Sequence, residues 1–137
     1  MIMSSPPMQW LFREKNLFVE RFIPMFTNAK LTEDEMDHYR KVQPRGLREG
    51  LAVFPRAIRG SKGWMTGLEQ RVLERLTEKP LLLTWGMKDT GFEPGAFIPR
   101  WQRDFSQVRL VELKDAKHYI QEDAPEEIAA AIREQYG

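Results

Sequence analysis

Two side chains in this sequence combine a reactive type with a telling position. Asp89 closes Trp85-Gly86-Met87-Lys88-Asp89, and His118 closes Leu113-Lys114-Asp115-Ala116-Lys117-His118. Each follows an apolar run with the character of a strand. In open α/β sheets, functional groups gather just past the carboxyl ends of the strands. Adjacent parallel strands would set these two loops side by side, and Asp89 could then accept a hydrogen bond from one imidazole nitrogen of His118. The other nitrogen would serve as a base, with the tautomer fixed and the imidazolium steadied by the carboxylate. Each residue also has a plainer reading: His118 as a loop histidine bonded to backbone, Asp89 as the cap of the turn after a strand. His38 falls in a charged helix and is given no site role.

The elements that must position this pair lie after Lys79-Pro80. Leu81 to Trp85 is a continuous apolar run ending at Gly86, which suits a strand buried on both faces of a parallel sheet. Pro99 to Phe105 reads as the following helix, with Trp101 and Phe105 spaced i, i+4. Val108 to Leu113 reads as a second strand. Asp123-Ala124-Pro125-Glu126 then opens a last helix with a cap, an early proline and acidic residues near the positive end of the dipole. Ile128, Ile132 and Tyr136 are expected on its buried face. This order implies a right-handed βαβ unit with a helix packed back on it.

Residues 1–79 read instead as helices joined by loops. Leu17 to Phe26 is an apolar stretch that Pro24 interrupts, predicting a short or kinked helix. Thr32-Glu33-Asp34-Glu35 is a capping box, flanked by Leu31 and Met36 at the positions of a hydrophobic staple, and predicts a helix from Glu33 to Val42. Leu47, Leu51 and Phe54 suggest a second short helix ending at Pro55. Gly60-Ser61-Lys62-Gly63 has the composition of a loop. Leu68, Val72 and Leu76 mark one face of a longer helix running toward Pro80.

Composition removes several function classes. The 21 basic and 20 acidic residues nearly cancel and form no basic run, so binding nucleic acid through its phosphates has little support. With no cysteine, disulfides, thiolate catalysis and cysteine zinc sites are excluded, and two distant histidines argue against a histidine-clustered metal centre. Neither a cofactor nor a metal is expected. No stretch resembles a signal peptide or a membrane span, so a cytoplasmic protein is the expectation.

The motifs also carry a resemblance. Pro80-Leu-Leu-Leu-Thr-Trp-Gly-Met-Lys-Asp89 is similar to the strand-and-acid motif of haloalkane dehalogenases, and Asp115-Ala-Lys-His118-Tyr-Ile-Gln-Glu-Asp-Ala-Pro-Glu-Glu127 resembles their histidine loop and final helix. Asn16-Leu-Phe-Val-Glu20, the helix from Thr32 to Tyr39 and Phe54-Pro-Arg56 look like the family's helical cap. Acid followed by histidine is also the tail of the nucleophile, acid, histidine order of α/β-hydrolases. The resemblance implies the C-terminal half of such an enzyme. Residues 1–79 would be a helical cap, and residues 80–137 a two-strand parallel βαβ unit with a C-terminal helix, part of the α/β-hydrolase core. It further implies Asp89 as catalytic acid and His118 as base. In that mechanism an aspartate attacks carbon, halide leaves, and the histidine activates water to hydrolyse the alkyl-enzyme ester.

Two departures qualify the expectation. No G-x-S-x-G or aspartate elbow occurs between Met1 and the cap motifs, and Trp10, Trp64, Trp85 and Trp101 read as core or rim residues rather than halide ligands. Catalysis would then require a complementary, nucleophile-bearing chain, and only with it a small-molecule substrate; alone, the chain would be inactive. Lys117 stands where the family has glycine, and a positive φ there would strain lysine by about 1–2 kcal/mol and displace the loop. The alternative function is a non-catalytic homodimeric assembly or binding module. Esterase and epoxide-hydrolase ancestries also stay open. An open, apolar edge on the Leu81–Trp85 strand predicts self-association or pairing with a separate partner.

Overall fold

Thr32 opens a helix in the way its sequence predicts. Its hydroxyl oxygen accepts the Glu35 N–H at 3.3 Å, and the Glu35 carboxylate accepts the Thr32 N–H at 2.7 Å. Two donors that a helix start would leave unpaired are thereby satisfied. The computed structural model describes residues 2–137. Its helices are α1 (Pro6–Glu14), α2 (Ile23–Phe26), α3 (Glu33–Val42), α4 (Glu49–Gly60), α5 (Lys62–Leu76), α6 (Pro94–Asp104), α7 (Ile120–Asp123) and α8 (Pro125–Tyr136). The strands β1 (Leu81–Gly86) and β2 (Val108–Leu113) flank α6.

These elements form two compact units. One contains the residues up to Met25 together with Lys30–Gly67, and is helical. Its core holds Phe12, Val19 and Ile23, all buried, with Phe12 edge-on to Phe22 at 5.7 Å. The stretch that Pro24 interrupts is a π-helical turn, Phe18–Phe22, closed by the Ile23 N–H on the Phe18 carbonyl and followed by the single-turn α2. Arg40 of α3 joins Glu33 and Asp37 on its own helix and Glu20 in the π turn.

Two expectations for this unit are overturned. The helix expected to stop at Pro55 runs through it to Gly60, and the loop expected at Gly60–Gly63 shrinks to a break at Ser61. The Ser61 hydroxyl donates to the Ala57 carbonyl at 2.8 Å, its N–H reaches the Ala57 and Ile58 carbonyls, and its own carbonyl accepts the Met65 N–H that starts α5. Proline withholds one N–H from a helix, and serine side-chain bonding replaces loop geometry after two turns.

The second unit comprises Phe26–Ala29 and Leu68–Gly137. β1 and β2 pair in parallel, with Leu81 opposite Val108 and Gly86 opposite Leu113. The crossover helix α6 starts at Pro94, five residues before its expected start, because Pro94 suits the first helical position and Pro99 is tolerated inside. Leu113, Ala116 and Ala124 form a buried cluster with Val111, Ile120 and Ile128 packed on it. Within β1 only Leu83 and Gly86 are buried, so the strand is half covered rather than enclosed on both faces. Among the described residues it pairs with β2 alone, which leaves its other edge open. α8 likewise departs from expectation. It buries Ala131, whereas Ile132 and Tyr136 stay 48% and 58% exposed; Tyr136 reaches only the Pro80 carbonyl, at 3.3 Å.

Candidate acid–histidine site

The turn after β1 is tied to the loop after β2 by backbone bonds. Met87 N–H donates to the Leu113 carbonyl at 3.0 Å, Lys88 N–H to the Ala116 carbonyl at 2.9 Å, and Asp89 N–H to the Gly86 carbonyl at 3.1 Å. Gly86 is essential to this approach. A Cβ there would collide with the carbonyl oxygens of Ala116 and Lys117, the residues that lead into His118.

Asp89 ends up buried, with its two oxygens assigned to different tasks. Oδ1 accepts the N–H groups of Gly91 and Phe92 at 2.7 and 3.0 Å, and Oδ2 lies 2.9 Å from His118 Nδ1. The turn-capping reading and the histidine-partner reading of Asp89 therefore hold together. Burial pushes the Asp89 carboxyl up, but the Phe92 N–H, His118 and the Gly91 N–H together outweigh it and hold the group below its ordinary value. An ionised Oδ2 requires the proton on Nδ1, and in the neutral ring Nε2 then carries the lone pair that a general base needs.

Aromatic groups enclose the imidazole. Phe92 stacks on it at 5.2 Å, Phe26 lies at 5.8 Å, and Tyr119 meets it edge-on at 5.4 Å. Trp85 fastens the Phe92 side, since its Nε1–H donates to the Phe92 carbonyl at 3.1 Å and its ring stacks on Phe97. His118 keeps 31% of its side chain exposed. His38 stands on α3, edge-on to Tyr39. The described residues contain no group of three or more histidines and carboxylates placed to hold a metal.

Two expectations about the histidine loop are corrected. Among the described residues Asn16, at φ 48°, is the one non-glycine residue with positive φ, so Lys117 does not carry the strain that a positive φ would impose. Asp123 does not cap α8, whose N-cap is Ala124 without a side-chain bond. Its carboxylate instead accepts N–H groups from Lys117, Asn28 and Ala29. Sequence reasoning missed Phe26, Phe92 and this role of Asp123. Phe92, three residues past Asp89, was within reach of a local turn argument.

A parallel βαβ unit with an acid beyond one strand and a histidine beyond the next, preceded by helices, is part of an α/β-hydrolase fold. More narrowly, the chain is haloalkane-dehalogenase-like. It is 47% identical to haloalkane dehalogenase 2 of Mycobacterium tuberculosis strain ATCC 25618 / H37Rv, over 99% of its own length and 48% of that enzyme. It is 32% identical to a haloalkane dehalogenase of Mesorhizobium japonicum, over 89% of this chain and 41% of that one. The chain thus spans about half the length of the curated relatives it matches. Among solved structures, a deletion variant of DbjA superposes with a TM-score of 0.80 at 28% identity, covering 97% of this chain and 47% of that one. The haloalkane dehalogenase DbeA of Bradyrhizobium elkani superposes at 0.85 and 24% identity over 97% and 47%, a likeness of fold. No family model matches the chain.

Proposed function

We propose that Asp89 and His118 are the acid and general base of a haloalkane-dehalogenase-type hydrolysis, with the nucleophilic carboxylate supplied from outside these 137 residues. The supporting observation is the 2.9 Å contact between Asp89 Oδ2 and His118 Nδ1, which leaves Nε2 for water. In this reading the nucleophile displaces halide from carbon and forms an alkyl ester. His118 Nε2 takes a proton from water, whose oxygen attacks the ester carbonyl; collapse passes the water's second proton to the leaving alcohol and regenerates the carboxylate, and the imidazolium then gives its proton to solvent. Asp89 steadies the imidazolium in between. Residues 1–79 act as the helical cap and residues 80–137 as part of the core, in the cytoplasm; the described residues include no helix long and apolar enough to cross a membrane.

The test mixes this chain with the N-terminal half of haloalkane dehalogenase 2 of Mycobacterium tuberculosis and follows halide release from a short bromoalkane. Turnover is expected in the mixture and from neither part alone. His118→Ala should lower it by about 10²–10⁴-fold, the usual share of a general base. Bromide release that His118→Ala leaves intact would sink the reading. Running an ester and an epoxide beside the bromoalkane separates the three hydrolase chemistries. The open edge of β1 favours a second reading, a non-catalytic homodimer, which predicts no turnover in the mixture and a native mass of two chains.

A further inference from the structure

His118 is held from outside its own loop. Asp123 Oδ1 accepts the N–H groups of Asn28 and Ala29, each at 2.7 Å, and Asp123 Oδ2 accepts the Lys117 N–H at 2.7 Å. On the other flank, Tyr119 N–H donates to the Phe26 carbonyl at 3.2 Å, and Lys117 Nζ donates to the Thr27 carbonyl at 3.1 Å. The residues before and after His118 are therefore both fastened to Phe26–Ala29, whose Phe26 ring also faces the imidazole.

The bond to Asp89 fixes Nδ1 but does not by itself place Nε2, because a ring held at one atom can still swing with its backbone. The backbone here is set by the clasp. Amide bonds to a carboxylate are about twice as strong as neutral ones, and three of them converge on Asp123. Neither oxygen caps a helix, so both serve the clasp.

We propose that Asp123 is a positioning residue for His118: by locking the 117 backbone to residues 28–29 it holds Nε2 where water must meet it. The proposal rests on the reading of Asp89 and His118 as an acid–base pair. Asp123 acts through the loop and takes no part in the chemistry.

The experiment is nitrogen-15 NMR of the imidazoles together with amide hydrogen exchange, on the full chain. The unmutated protein should show the Nδ1–H tautomer at His118 and slow exchange at Asn28, Ala29 and Lys117. Asp123→Ala should mix the tautomers and speed Lys117 exchange by roughly tenfold or more, as for loss of a charge-assisted bond. Leu83 and Val111, within the sheet, should stay protected. Asp123→Asn keeps the shape but turns an NH₂ toward one of the donors, so it should shift His118 less; it decides the matter if the alanine variant does not fold. In the complemented mixture, kcat should fall while KM holds.

Unchanged His118 nitrogens in the folded variants would overturn the proposal. So would fast exchange at Asn28, Ala29 and Lys117 in the unmutated chain. If NMR shifts as expected but the mixture never turns over, the acid–base reading fails while the clasp stands. If the mixture turns over and neither variant changes kcat or the His118 nitrogens, the clasp fails alone.

Discussion

Asp89 makes the site sensitive to acid as well as to substitution. Its folded-state value lies below the ordinary aspartate value of about 3.9. Between the two values the unfolded chain binds more protons than the folded one, so stability rises with pH across that window. The contribution is complete above the unfolded value and drains away as pH falls toward the folded one. Asp89→Asn should therefore lower the urea midpoint at neutral pH, and its deficit should shrink as pH drops below about 4. A deficit constant down to strong acid would refute that assignment. The contact between Asp89 and His118 was legible in the sequence because each follows a strand-like run and the order of acid and then histidine is informative. The part played by Asp123 was not. Two of its three partners lie 94 and 95 residues away, and a local pattern of Asp, Ala, Pro reads as a helix cap.

Elements were legible where local chemistry decides them. The capping box at Thr32 needs only four neighbouring residues, and the helix it predicts is present over the same span. Thr32→Ala should cost about 1 kcal/mol in unfolding free energy, measured by urea titration, as for other lost caps. Prediction failed where tertiary packing decides. Pro55 and the glycines near Ser61 looked like punctuation, yet α4 and α5 continue on either side of one residue. Ile128, Ile132 and Tyr136 fit a helical stripe, but α8 packs through Ile128 and Ala131 and leaves the other two exposed. Gly86 gives the sharpest element-level test. Gly86→Ala must push the histidine loop away from β1, costing about 1–3 kcal/mol of stability and loosening the Asp89–His118 contact. A stable variant with unchanged His118 resonances would show that the close approach is unimportant.

At the scale of the molecule, β1 is the feature that asks for company. Leu81 and Met87 direct their N–H groups to β2, so the alternation of a strand turns those of Leu82 and Thr84 to the open edge. Exposed edges of this kind pair with other strands. Expressed as these 137 residues, the chain should therefore show a native mass above that of a monomer. A monodisperse monomer in which the Leu82 and Thr84 amides exchange slowly would count against it. The fold class was readable from the succession of elements and from the resemblance, since both depend on order along the chain. What covers the edge depends on surfaces that no periodicity encodes.

The clasp at Asp123 sets a timetable for synthesis. Ribosomes add about 5–20 residues per second. Asn28 and Ala29 are thus added to the chain roughly 5–20 s before Asp123 exists to receive their N–H groups. Helices such as α3 can form within that interval from their own neighbours. The histidine loop cannot reach its final geometry until Asp123 has been made, so any competence this site has comes later than the helices around it.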